Sequence, residues 1–77
     1  MRKSEVPMVV GQVERNEAEV LRISTEEFKG RAYVDVRIYF ADNEGEWKPT
    51  KKGVTINPDK VDQVIELLRE AQEKLKG

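Results

Sequence analysis

The sequence predicts a small α+β domain: four antiparallel strands followed by one C-terminal helix. Three observations carry this. Ala32, Val34, Val36, Ile38 and Phe40 alternate with Arg31, Tyr33, Asp35, Arg37 and Tyr39, a period of two that marks a half-buried strand. Asn57-Pro58-Asp59 is a helix start, with Asn suited to the N-cap, Pro to the first helical position and Asp to the positive end of the dipole. Val61, Ile65, Leu68, Ala71 and Leu75 then recur at helical spacing.

The elements follow in order. Residues 1–7, ending at Pro7, read as a loose tail. Met8 to Val13 is short and β-branched, a first strand. Asn16-Glu17 turns the chain, and Glu19 to Ser24 is a second strand with Val20, Leu21 and Ile23 apolar; the same region also fits one long irregular strand. Phe28-Lys29-Gly30-Arg31 reads as a turn in which Gly30 takes a positive φ. The alternating strand runs from Arg31 to Phe40. Asp42-Asn43-Glu44-Gly45 is a turn by composition. Glu46 to Lys48 resumes extended structure. Pro49 cannot donate to a ladder and belongs on an edge or at a strand end. Lys51-Lys52-Gly53 is a basic turn or bulge, and Val54-Thr55-Ile56 completes the sheet. The sheet thus spans 8–56 and the helix 57–76, in a single domain over 1–77. Val61, Ile65 and Leu68 are expected to pack on the sheet. Val64, Leu67 and Ala71 widen the stripe beyond what a small sheet covers, so Val61, Val64, Ile65, Leu67, Leu68 and Ala71 are expected to form a seam with the same helix of a second copy.

Composition narrows function. With 77 residues, no Cys and no His, the chain has neither a disulfide nor a thiolate metal site, and lacks the commonest general base and metal ligand. A fold this small gains stability most simply by association. No phosphate-cradling glycine loop is present. The carboxylates Asp42, Glu44 and Glu46 fall at a turn, where solvated charge is the ordinary reading and nothing marks a magnesium site. An enzyme is not expected, and no cofactor or metal is implied. Nothing at the N-terminus reads as a signal peptide and no segment reaches membrane-spanning length, so a cytoplasmic protein with no membrane partner is expected.

The net charge is −1, but the signs are segregated. Phe28 to Gly53 carries six basic residues (Lys29, Arg31, Arg37, Lys48, Lys51, Lys52) against four acidic ones (Asp35, Asp42, Glu44, Glu46), while both flanks are acidic. Phe28, Tyr39, Phe40 and Trp47 are interleaved with those cations. Single-stranded nucleic acid offers phosphates and base faces together, and a sequence-tolerant binder meets them with cations and flat side chains. Solvated charge and core aromatics account for the pattern about equally well.

The string Phe28-Lys29-Gly30-Arg31-x-x-Val34-Asp35-Val36-Arg37-x-Tyr39-Phe40, followed by Glu44-Gly45-Glu46-x-Lys48-Pro49-x-Lys51-Lys52-Gly53-Val54-x-Ile56-Asn57-Pro58, resembles the positive cofactor four family of transcriptional coactivators with prokaryotic and phage relatives. The resemblance spans Val20 to Leu75. It implies a curved four-stranded sheet and helix, a homodimer joined through its helices, and binding of single-stranded DNA with little sequence preference in transcription, replication or repair. It implies stacking at Phe28 and Phe40 and phosphate contact at Lys29, Arg31, Arg37, Lys48 and Lys52, with Tyr39, Trp47 and Lys51 added as neighbouring candidates. The partners expected are single-stranded nucleic acid, DNA preferred over RNA, a second copy, and transcription or replication proteins; a bacterial host would place it on the nucleoid. A protein-interaction or regulatory subunit with vestigial nucleic-acid binding, or an RNA binder, is the alternative. The sequence departs from the family in three places. Phe40 stands where eukaryotic members have tryptophan, Glu26 stands where they have a basic residue, and Trp47 occupies a position more often aliphatic. The 77 residues hold no counterpart of the serine-rich eukaryotic tail, so the resemblance does not extend to coactivation through such a tail. Strict alternation puts Phe40 on the apolar face: either a bulge near Tyr39 re-aims it, or it is buried and Tyr39 stacks instead.

Overall fold

A computed structural model describes residues 7–77; all of the expected tail except Pro7 lies outside the described residues. Strands β1 (Met8–Glu14), β2 (Glu19–Phe28), β3 (Arg31–Ala41) and β4 (Trp47–Ile56) form one sheet in the order β1-β2-β3-β4, every pair antiparallel. A 3₁₀ turn, Pro58–Lys60, leads into α1, Val61–Lys76.

The predicted strands are all present, with longer boundaries. The Met8–Ser24 region is two strands joined by a tight loop. Asn16 Oδ1 accepts from the Ala18 N–H at 2.9 Å, and its amide and Arg15 both donate to the Glu19 carboxylate. β2 runs past Ser24 because Thr25, Glu26 and Glu27 pair with Val34, Tyr33 and Ala32; their polar composition hid a continuous ladder. Phe28 therefore ends a strand, and the turn is the two residues Lys29 (φ 53°) and Gly30 (φ 78°). Positive φ at both central positions is the type I′ hairpin geometry, which suits the twist of paired strands. Lysine in that region is strained, at about 1–2 kcal/mol. Lys29→Asn is expected to relieve part of this and raise the unfolding free energy by about 1 kcal/mol, measured by urea titration.

β4 is one strand rather than two fragments. Its register slips between Arg37 and Tyr39, so that Thr50, Lys51 and Lys52 bulge opposite Ile38. Thr50 pins the bulge: its hydroxyl donates to the Ile38 carbonyl at 2.8 Å and accepts the Lys52 N–H at 3.1 Å. Pro49 is accommodated because β4 is an edge strand.

The helix departs from expectation at both ends of its argument. The Asn57 side chain makes no cap bond. The backbone carbonyl of Asn57 instead accepts the Lys60 N–H at 2.9 Å, and the α-helix begins at Val61. Ile65 and Leu68 are not packed on the sheet. Val61 and Val64 are half-buried, while Ile65, Leu67, Leu68 and Leu75 are exposed and no helix residue is buried. The 3₁₀ turn packs against β3, and beyond Val64 every residue of α1, a helix of 16 residues or about 24 Å, is exposed. Among the described residues the buried apolar side chains are Val20 and Ile38. The radius of gyration is 14.3 Å, against about 11.5 Å for a compact chain of this length. The apolar stripe that periodicity located is present and, among the described residues, lacks a cover.

Candidate nucleic-acid interface

Antiparallel partners share a face of the sheet, and successive residues alternate between faces. The register therefore sorts the side chains. One face carries Leu21, Ile23, Val34, Val36, Ile38, Val54 and Ile56, the apolar side. The other carries Phe28 and Arg31 at the hairpin end, then Glu26 and Tyr33, Ser24 and Asp35, Arg22 and Arg37, Val20 and Tyr39, and finally Pro49 and Trp47 at the far end.

This polar face brings together Phe28, Arg31, Arg37, Tyr39 and Trp47. Phe28 is 64% exposed and Trp47 36%. β3 has 11 residues, which at about 3.3 Å each sets the two aromatics ~30 Å apart along the strand. Phe40 lies on the other side. It pairs with Glu19 and Lys48, keeps its place in the alternation, and is 39% exposed. Neither expected outcome holds: the bulge sits in β4 rather than re-aiming Phe40, and burial fails because the apolar face thins out at that rim.

Arg37 is the most constrained cation. Its Nε and one terminal nitrogen donate to both oxygens of Asp35 at 3.1 and 3.0 Å, and the other terminal nitrogen donates to the Thr50 carbonyl at 3.1 Å. Asp35 is 6% exposed and the Arg37 side chain 23%. The bonds to Asp35 hold the guanidinium pKa above its ordinary value. Five N–H groups are available on a guanidinium, so two remain to meet a ligand. Gly53 makes room for this arrangement. A Cβ there would lie 2.8 Å from the Cγ and Cζ of Arg37 and 2.8 Å from the Val36 carbonyl. Ser24, 2% exposed, closes the floor beside Asp35, its hydroxyl donating to Glu26 at 3.1 Å.

The lysines differ among themselves. Lys51 and Lys52 sit in the bulge and are exposed; hydrogen bonds from Asn16 and Arg15, and more weakly the charge of Lys52, hold the Glu19 carboxylate below its usual pKa. Lys29 lies with its ammonium 5.3 Å from the centre of the Phe28 ring, so turn and aromatic present one surface. Lys48 is shared between Glu46 at 3.5 Å and Asp42 at 3.8 Å. Asp42, Glu44 and Glu46 converge closely enough to hold a cation. Asp42, however, already accepts the backbone N–H groups of Glu46 and Glu44 at 2.9 Å, and Lys48 supplies the positive charge. Those backbone bonds, the one from Glu46 foremost, pull the Asp42 pKa below the usual aspartate value. This is the chemistry of a loop brace.

Arg22 was missed. It pairs with Arg37 across the strands, donates to Gln12 at 3.0 Å, and stacks 4.2 Å above the centre of the Tyr39 ring. The segregation of charge did not reveal it, because it belongs to the acidic N-terminal segment by sequence and to the basic face only by register. Among the described residues no helix is long and apolar enough to cross a membrane.

The chain matches the family described as Transcriptional Coactivator p15 (PC4) over residues 16–67. Two crystal forms of a PC4 homologue from Burkholderia pseudomallei share its fold. The orthorhombic form gives a TM-score of 0.83 at 34% identity, covering 88% of this chain and 92% of that one. The tetragonal form gives 0.81 at 35% identity, covering 86% and 97%. A bacteriophage T5 homologue of the eukaryotic coactivator PC4, a protein implicated in recombination-dependent DNA replication, shares the fold with a TM-score of 0.61 at 24% identity, covering 91% and 92%. A sheet followed by a single helix, a family match over more than half the chain and one relative at 34–35% identity lead to one statement: the chain belongs to the PC4 family of nucleic-acid-binding transcriptional coactivators, a non-enzymatic family.

Proposed function

We propose that this protein binds single-stranded nucleic acid, DNA in preference to RNA and with little sequence preference, on the polar face of its sheet, and that it does so as a homodimer. One observation carries the reading: Phe28 and Trp47, both exposed, flank a row of guanidinium groups on a single face. Aromatic rings accept any base by stacking, and cations between them follow the phosphates. Lys29, Lys51 and Lys52 extend the positive rim, while Lys48, shared with two carboxylates, contributes less. Phe40 is a secondary stacking position reached from the opposite side. The homodimer covers the exposed Ile65, Leu68 and neighbouring stripe of α1. The role this serves is in transcription, replication or repair, in the cytoplasm and on the nucleoid of a bacterial host.

Phe28→Ala is expected to weaken binding of fluorescent oligo-dT by about 1–3 kcal/mol, the usual worth of one base–aromatic stack, with the thermal unfolding midpoint unchanged. Anisotropy titration at fixed salt measures it, with oligo-U and duplex of the same length alongside. Unchanged affinity in the variant sinks the site assignment. A wild-type protein that fails to bind single strands at low salt favours the protein-interaction reading, and equal affinity for oligo-U removes the DNA preference.

A further inference from the structure

We infer that Arg22 is the principal phosphate-binding side chain of the polar face, with Gln12 and Tyr39 as the residues that position it. The inference rests on the reading of that face as a single-strand interface. Arg22 and Arg37 are direct cross-strand partners, and like charges placed opposite one another on a sheet repel. Arg37 is neutralised by Asp35 at 3.0 Å. Arg22, among the described residues, has no carboxylate partner. What holds it is uncharged: the Gln12 amide oxygen on its Nε at 3.0 Å and the Tyr39 ring beneath its plane at 4.2 Å. These contacts fix the guanidinium without neutralising it.

The consequence is a preorganised anion site. One of five N–H donors is used, leaving a fork of four in the geometry that meets phosphate oxygens two at a time. The half-buried side chain has little rotamer freedom left to lose on binding. The other cations lack one property or the other. Arg37 is placed but neutralised, Lys48 is shared with acids, and Arg31, Lys29, Lys51 and Lys52 are exposed on long stems. Full charge and fixed placement coincide on this face at Arg22. Tyr39, with one ring side covered by Arg22, serves as a support for the cation.

The test is the salt dependence of oligo-dT affinity for wild type, Arg22→Gln, Arg22→Lys and Phe28→Ala, with folding followed by thermal unfolding. Arg22→Gln is expected to weaken binding tenfold or more at low salt and to flatten the slope of log K against log salt by about 0.7 for each Arg22 engaged. Arg22→Lys is expected to keep the slope and lose several-fold in affinity, because the charge remains and the planar fork does not. Weaker binding at the wild-type slope in Arg22→Gln overturns the phosphate role. Wild-type affinity and slope in that variant, with Phe28→Ala impaired, overturn the inference and leave the interface standing; if Phe28→Ala also binds normally, the interface reading falls with it. Should Arg22→Gln lose the fold, Gln12→Leu serves instead. It frees the guanidinium without removing it and is expected to weaken binding several-fold at unchanged slope, and full affinity there overturns the inference.

Discussion

Asp35→Ala is expected to cost about 2–3 kcal/mol of stability, a large share of what the chain has. Domains hold roughly 0.05–0.15 kcal/mol per residue, which for 77 residues is ~4–11 kcal/mol. Asp35 accepts two of the three hydrogen bonds that place Arg37. Removing one partner of a buried pair strands the other charge, and this costs 3–5 kcal/mol in a sealed interior. Arg37 keeps 23% of its side chain in water, so the lower figure applies. Asp35→Ala combined with Arg37→Met removes the stranded charge with the acid, and is expected to recover more than half of the loss. Urea unfolding of the two variants checks both statements. If Asp35→Ala stays within 0.5 kcal/mol of wild type, as ordinary surface changes do, the pair does not organise the face. Gly53→Ala acts on the same structure from the other side. Its new methyl would fall against the Val36 carbonyl and the Arg37 side chain at once, and overpacking of this kind costs about 1–3 kcal/mol.

The second large effect concerns the helix. Changing Ile65 and Leu68 together to lysine is expected to abolish the proposed homodimer. Both side chains are exposed in the single chain, so the change is mild for the monomer taken alone. In a two-fold assembly four apolar side chains are lost. At about 1.5 kcal/mol or more each the sum is ~6 kcal/mol, or about four decades in the dissociation constant. Sedimentation is expected to give a dimer for the wild type at micromolar concentration and a smaller species for the variant. The wild-type melting temperature is expected to rise with protein concentration, as linkage to assembly requires. A folded wild-type monomer with a concentration-independent melt removes the dimer from the proposal.

Much of the fold was legible because its signals are local. Alternation from Arg31 to Phe40 fixed β3, and turn chemistry placed the breaks at Gly30 and Gly45. The arrangement of the candidate interface was legible in outline only, for two physical reasons. On a strand, residues i and i+2 share a face, so Asp35 neutralises Arg37, and the loop before β4 brings Glu46 to Lys48; a count of charges along the chain credits both cations in full. Register was the second reason. Arg22 lies between apolar neighbours and enters the basic face only when β2 is laid against β3. Helical periodicity likewise identified which side of α1 is apolar without saying what would cover it, and the assumption that the sheet would do so was wrong for Ile65 and Leu68.

The sheet order follows the chain order, and this has a kinetic meaning. Every strand pairs with its immediate predecessor, so each closure spans a short loop, and little entropy is spent before contacts form. The tightest of these is the two-residue turn at Lys29-Gly30, which joins β2 and β3, the strands at the centre of the polar face. Folding is expected to nucleate there and to zip outward, with α1 settling last. Substitutions at the turn should then slow refolding, whereas those along the helix should mainly speed unfolding, a split that stopped-flow chevrons resolve. On this order of events the surface proposed to meet the ligand takes shape on the isolated chain, ahead of the encounter that would form the proposed dimer.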